Sequence, residues 1–375
     1  MLHYLLAFII LIHGLIHFMG FAKAFGYGNI PRLTKNISKP MGRLWFVTTV
    51  LFMATTFLLL LKREEWWMIG FVAIIISQIV LFTVWKDARV GSIANGIILI
   101  SIIFAFGTWR FSKSYADEVT NDIAANTFSS DSLLTEADIQ HLPEPVKKYI
   151  RYTGSIGKPK VKSFKVEFVG KIRKNEESSW MPFTSQQYNF MDATSRFFFM
   201  KATMNHLPVA GFHSFNNGEA FMDIQLLSLF RVQYQTGKEM GIAETVTFFN
   251  DMCCMAPATL IDNRVKWLDG DDHKMNTSFT NNGITISATL YFNDAGELIN
   301  FISDDRYATG ENNMMKKIKW STPLKDYKEI NGYKLAGYAD TIYHYPQGDL
   351  GYGTFSLTNV EYNPTFNNKF FAFTF

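Results

Sequence analysis

The sequence predicts a membrane α-helical bundle of about four transmembrane helices, followed by a mostly antiparallel β (α+β) soluble domain. Three observations predict it. Long apolar stretches without charge crowd into the first 110 of the 375 residues. Tryptophans recur near the ends of those stretches. Beyond residue 160 the apolar period shortens to two, the repeat of a half-buried strand. The mean hydropathy of +0.02 hides this division, because it averages a very apolar first third with an ordinary remainder.

A span needs ~20 predominantly apolar residues to cross ~30 Å of hydrocarbon. Four segments meet this or come close: Leu2 to Ala22, Leu44 to Leu61, Trp66 to Trp85 and Val90 to Trp109. Their interiors hold no Asp, Glu, Lys or Arg, and a charge at mid-bilayer is costly. Trp45, Trp66, Trp67, Trp85 and Trp109 are expected at the headgroup level, where an amphipathic ring is best solvated.

Lys and Arg set the orientation. Lys23, Arg32, Lys35, Lys39 and Arg43 lie in the first loop, and Lys86 and Arg89 in the third. Only Lys62, Arg63, Arg110 and Lys113 face them from the other side. The first and third loops are therefore expected in the cytoplasm. Both termini and the soluble domain then lie on the extracytoplasmic side of the inner (cytoplasmic) membrane. The first span lacks a basic n-region and a small-residue cleavage site, so it reads as a retained helix.

Within the spans, Thr48, Thr49, Thr55 and Thr56 share a face, and Ser77, Gln78 and Asn95 add further polar groups. Such groups serve as glue between helices. His13 and His17, four apart, also share a face. That spacing suits a metal. The spans offer no Asp, Glu or Cys to complete a site, and their one other histidine is His3, near the membrane edge. Packing or a weak proton relay is the favoured role, and no metal or cofactor is expected.

The division expected is 1–110 for the helices, 111–134 for a polar linker and 135–375 for the β-rich domain. Thr135 with Asp138 reads as a helix start, and a second helix runs from about Pro145 to Gly154. Phe164, Val166, Phe168 and Ile172 alternate with polar residues, as do Ile284, Ile286, Ala288, Leu290 and Phe292. Asn331-Gly332 marks a hairpin. Some ten to twelve strands are expected, with Phe370 to Phe375 among the last. One helical interruption is expected from Ile242 to about Ile261, broken near Pro257.

A net charge of +3 without a basic stripe argues against nucleic acid. The adjacent Cys253 and Cys254 supply no disulfide framework. Hydrolase, phosphate-loop and dinucleotide motifs do not occur. Three polar clusters stand out. Glu244, Asn250 and Asp251 lie on or beside the helical interruption, with Glu244 and Asp251 placed to share a face. Asp304, Asp305 and Arg306 end a strand, where alternation puts Asp304 and Arg306 on one side. Asp269 to His273 reads as a charged hairpin turn. Phe197-Phe198-Phe199-Met200 is apolar on both faces of a strand, as in a strand buried on both sides or lining a cavity.

Several stretches resemble a bacterial family defined as a domain of unknown function, with or without N-terminal membrane helices. They are Leu142-Pro143-Glu144-Pro145-Val146 with Tyr149 and Tyr152; Glu244-Thr245-Val246 through Asn250-Asp251-Met252; Ala256-Pro257-Ala258-Thr259-Leu260; and Asp304-Asp305-Arg306 with Trp320. The strand pattern is in turn similar to lipoprotein-carrier half-barrels of the LolA or LppX type. That resemblance implies a curved sheet and a packed helix around an apolar cavity. The function expected is a membrane-anchored binding module for a lipid or other apolar ligand, more readily than an enzyme. Glu244, Asn250, Asp251, Asp304, Asp305 and Arg306 are its candidate ligand-binding residues. The expected partners are the bilayer, such a ligand and a membrane protein. The alternatives are a scaffold in a membrane complex, or a membrane hydrolase using Asp251, Asp304 and Asp305.

Overall fold

A computed structural model describes residues 2–125, 132–205, 207–310 and 314–365. The chain divides into two compact units, Met1–Phe111 and Ser112–Phe370.

The first unit holds α1 (Leu2–Phe25), α2 (Lys39–Leu60), α3 (Trp66–Thr83), the single turn α4 (Trp85–Ala88) and the start of α5 (Gly91–Ala125). Helices α1, α2, α3 and α5 are long and apolar enough to cross a membrane. Small residues let α1 and α2 approach closely. A Cβ on Gly20 would sit 2.1 Å from the Trp45 ring. Trp45 is accordingly buried against its neighbouring helix. Helix α2 begins at Lys39, five residues before the expected start, which puts Trp45 in its second turn.

The polar groups also sort differently from expectation. Thr48, Thr49, Thr55 and Thr56 each donate to the carbonyl four residues back in α2, at 2.8 to 3.2 Å. The interhelical bonds come from the histidines and amides instead. His13 Nε2 lies 2.9 Å from Asn95 Oδ1, His17 Nε2 lies 2.9 Å from Ser77 Oγ, and Asn95 Nδ2 donates to Ser77 Oγ at 2.9 Å. This buried chain links α1, α3 and α5. The Asp87 carboxylate accepts from the Thr34 amide at 2.6 Å and so ties the first loop to the third.

Residues 112–125, expected as linker, instead continue α5. The reason is an apolar stripe at helical spacing: Tyr115, Ala116, Val119 and Ile123 are all buried. Tyr115 packs on Phe199 and Phe212. Residues 126–131 of the expected linker, and the expected strand Phe370 to Phe375, lie outside the described residues.

The second unit continues with α6 (Glu136–Ile139) and α7 (Glu144–Tyr152). As the sequence indicated, Thr135 and Asp138 form a capping box and Pro145 lies in the first turn of α7. Strands follow as β1 (Ser163–Ile172), β2 (Met181–Phe190), β3 (Ser195–Met204), β4 (Leu207–Asn216), β5 (Glu219–Leu226) and β6 (Phe230–Thr236). Helix α8 (Lys238–Met255) and a 3-10 turn (Pro257–Ile261) form the helical interruption. The remaining strands are β7 (Val265–Gly270), β8 (Lys274–Asn281), β9 (Ile284–Phe292), β10 (Leu298–Ser303), β11 (Tyr307–Thr309), β12 (Met315–Lys317), β13 (Lys319–Ile330), β14 (Tyr333–Tyr345) and β15 (Gly348–Tyr362). The strand total thus exceeds the ten to twelve read from sequence. Asn331 and Gly332, both at positive φ, turn β13 into β14.

Thirteen strands form one open sheet in the order β6-β5-β4-β3-β2-β1-β15-β14-β13-β10-β9-β8-β7, antiparallel throughout. A hairpin of β11 and β12 stands apart. The two edge strands, β6 and β7, are consecutive in sequence and joined through α8. Helix α8 touches β5 and β6 near one edge, β9 and β10 near the other, and β14 between them. The sheet therefore curls around the helix. Burial explains why α8 has almost no polar face: from Met240 to Met255 only Ile242 and Thr247 are less than fully buried. Gly241 permits this seating, since a Cβ there would meet the Gly218 carbonyl oxygen at 2.4 Å.

Candidate functional site

A cavity of about 290 Å³ lies between α8 and the inner face of the sheet. Strand alternation decides what reaches it. On β3, Arg196, Phe198 and Met200 line the cavity, while Phe197 and Phe199 fall on the other face. All four apolar residues are buried, so this strand is covered on both sides, as its composition required. Phe168, Met222, Met255, Leu324, Phe355 and Leu357 complete most of the apolar wall.

Polar groups gather at one part of the lining. Glu244 and Asp251, seven apart on α8, both reach Arg196. Arg196 Nη1 donates to Glu244 Oε2 at 2.9 Å, and its Nε donates to Asp251 Oδ2 at 2.7 Å. Neighbouring β2 adds two amides from one strand face. Gln187 Nε2 donates to Asp251 Oδ2 at 2.7 Å and Asn189 Nδ2 at 3.2 Å, while Gln187 Oε1 accepts from Arg196 Nη2 at 2.8 Å. Buried charge survives only when paired and hydrogen-bonded, and these bonds supply that. Burial pushes the Glu244 carboxyl up, but Arg196, His213 and Arg306 outweigh it and hold it down at about 2. For Asp251 burial wins and raises the carboxyl, against the pull of Arg196. His213 Nδ1 stands 3.6 Å from Glu244 Oε1. Burial lowers its pKa despite that carboxylate, so it is neutral at neutral pH.

Of the residues singled out in the sequence, Glu244, Asn250, Asp251 and Arg306 line the cavity. Asp304 and Asp305 do not. Strand β10 ends at Ser303, and the chain then leaves regular alternation. Arg306 turns inward, and its carboxylate neighbour is Glu244 at 4.0 Å rather than Asp304. Asp304 is exposed. Asp305 accepts from the Ser287 amide at 2.7 Å and pairs with Lys317 at 2.7 Å. The three carboxylates thus share no cleft. Asn250 donates to Cys254 Sγ at 3.4 Å, and both cysteines are free and buried. Asp269 and Gly270 end β7, and Asp271 to His273 form the turn into β8. Among the described residues no group of three or more His, Cys, Asp or Glu could hold a metal ion.

Sequence reasoning missed Arg196, Gln187, Asn189 and His213. One signal was available: an arginine beside three phenylalanines in a strand buried on both faces needs a buried acid. It also missed a hydroxyl–imidazole–carboxylate chain on β13 to β15. Ser321 Oγ lies 2.8 Å from His344 Nε2, and His344 Nδ1 lies 2.7 Å from Asp349 Oδ1. Ser321 sits between two cavity-lining residues, Trp320 and Thr322, so it points to the opposite face. It is 2% exposed. A nucleophile needs a site where a substrate carbonyl and oxyanion donors can meet it, and Ser321 does not border the cavity.

No curated protein matches the sequence. Solved structures similar to the chain include a LolA superfamily protein from Nitrosomonas europaea, at 8% identity and TM-score 0.30, covering 60% of this chain and 96% of that one. A DUF1329 family protein from Desulfovibrio piger is similar at 9% identity and TM-score 0.30, covering 60% and 95%. A β-barrel-like DUF1849 protein from Brucella abortus is similar at 8% identity and TM-score 0.18, covering 55% and 99%. One family model spans most of the second unit, residues 132–355, and takes in the cavity and its polar lining. The chain belongs to that family, the family of unknown function DUF6544.

Proposed function

We propose that the protein is a membrane-anchored, extracytoplasmic binding module for a lipid or other apolar ligand. The observation that carries this reading is the cavity: about 290 Å³ of space with a mainly apolar wall. Cores are normally filled, with few voids larger than a water molecule. A cavity this size near the lower end of known ligand sites is therefore the default binding site. Four apolar helices supply the anchor, and the excess of Lys and Arg in the first and third loops supports the extracytoplasmic orientation. Glu244, Asn250, Asp251 and Arg306 serve in this reading as the polar groups that orient the ligand. The test is to purify the full chain in mild detergent and extract it for lipid mass spectrometry. A ligand at about one per chain is expected; its absence, with the cavity collapsed in an experimental structure, overturns the reading.

A second reading is a contact surface in a membrane complex. Phe230, Val232 and Tyr234 favour it, since all three are exposed on edge strand β6. Partner recovery lost on Phe230→Ser with Val232→Ser would support it, and unchanged monomeric behaviour would not.

A further inference from the structure

We propose that the ligand is a single-chain amphiphile whose anionic oxyacid headgroup, a carboxylate or a phosphate, is held by Arg306. This rests on the cavity being a binding site. Among the described residues, Arg306 is the one guanidinium in the lining with a buried donor that no bond satisfies. Its side chain is 11% exposed. Its Nε is buried and has no hydrogen-bond partner among the described residues. The oxygen it approaches, Glu244 Oε1, stands 4.0 Å away, beyond hydrogen-bond reach, and Arg196 holds the other oxygen of that carboxylate at 2.9 Å. A buried donor left unpaired is costly, and an arginine fork matches an oxyanion two bonds at a time.

The charge balance agrees. Arg173, Arg196 and Arg306 line the cavity against Glu244 and Asp251. Arg173 donates to the Gly351 and Glu176 carbonyls and lies over the Trp180 ring. The lining therefore carries one more guanidinium than carboxylates. Asp251 Oδ2 accepts from Arg196, Gln187 and Asn189, so the charge of this carboxylate is already countered by Arg196. Arg306 stands 5.6 Å from the Trp320 ring, so an apolar chain can leave the headgroup directly along the wall. Volume sets the tail. At about 290 Å³ the cavity is at the bottom of the range for small-molecule sites. It takes one alkyl chain and not a pair.

The experiment uses the full chain in lipid nanodiscs with three diazirine probes of equal chain length: a fatty acid, an alkyl phosphate and a fatty alcohol. Photolabelled peptides are mapped by mass spectrometry. Labelling of the β3 and β15 peptides by one or both anionic probes should exceed that by the alcohol roughly 10–100-fold, the range for a hydrogen bond to a charged group. The acid and phosphate arms tell the two headgroups apart. Arg306→Gln should bring the anionic probes down to the alcohol's level, and Arg306→Lys should restore part of the preference. Equal labelling by acid, phosphate and alcohol, or a preference that survives Arg306→Gln, overturns the headgroup assignment and leaves apolar binding standing. If none of the probes labels the cavity, the binding reading falls and this inference with it.

Discussion

Arg196 Nε donates to Asp251 Oδ2 at 2.7 Å with less than a tenth of either side chain exposed. A pair so deeply placed is expensive to break. Arg196→Met leaves the Glu244 and Asp251 carboxylates facing each other without their cation. The expected loss is about 3–5 kcal/mol, read as a fall in Tm of the purified chain. Lys162, which pairs with Asp192 at 3.3 Å with 36% and 53% of the two side chains exposed, is the control: Lys162→Met should cost about 1 kcal/mol or less.

Acid should unfold the second unit in two stages. His213 is held neutral below its ordinary 6.5 by burial, so the unfolded chain takes up a proton first. Stability is full above that value and falls as pH drops through it towards the lower folded pKa. Glu244 falls from 4.5 to about 2 on folding. Its contribution is present above 4.5 and lost between 4.5 and 2. Asp251, raised on folding, acts in the opposite direction and softens the second stage. Thermal scans of the wild type and His213→Gln should agree near neutrality. They should diverge below 6.5, with the variant losing less.

Ala336 is a small residue on the cavity wall. Ala336→Phe should fill the space the ligand needs. Overpacking costs about 1–3 kcal/mol, too little to unfold a typical domain. Lipid recovered per chain should fall to background while the protein remains folded by circular dichroism.

In the helices, Asn95→Leu removes bonds to His13 and Ser77. It should destabilise the bundle by about 0.6–2 kcal/mol, the range for interhelical polar contacts. Thr48→Val should cost less, because Thr48 bonds only within its own helix. Unfolding in mixed detergent by circular dichroism distinguishes the two.

A fluorophosphonate probe should leave Ser321 unlabelled, since the hydroxyl is 2% exposed despite its contact with His344. Stoichiometric labelling that vanishes in Ser321→Ala would mean the strand opens and that the Ser321, His344 and Asp349 chain is reactive.

Local patterning carried much of the fold. The alternation of Phe164 to Ile172 and of Ile284 to Phe292 marked β1 and β9, and Asn331-Gly332 marked a turn. The break at Pro257 marked the end of α8. These features depend on neighbours within a few residues. The burial of Trp45 was not legible, because it depends on Gly20 in another helix and not on its own surroundings. Residues 112–125 looked like a tether because the few apolar groups of their stripe, Tyr115, Ala116, Val119 and Ile123, are spread among polar residues. The candidate site was half legible. Glu244 and Asp251 drew notice by their spacing, whereas Arg196, Gln187 and Asn189 are single polar residues in strands, given meaning only by the pairing of β2 with β3 and their packing on α8. Arg306 was noticed with the wrong partner, since the chain leaves its strand after Ser303.

The pairing of β1 with β15 joins residues about 200 positions apart, as Phe164 meets Tyr362. At roughly 5–20 residues per second of synthesis, β1 waits about 10–40 s for its second neighbour. During that interval its free side is an exposed edge, open to the wrong chain. Lys165, Glu167 and Lys171 alternate along it, and they guard the nascent protein at the time when it is most able to aggregate.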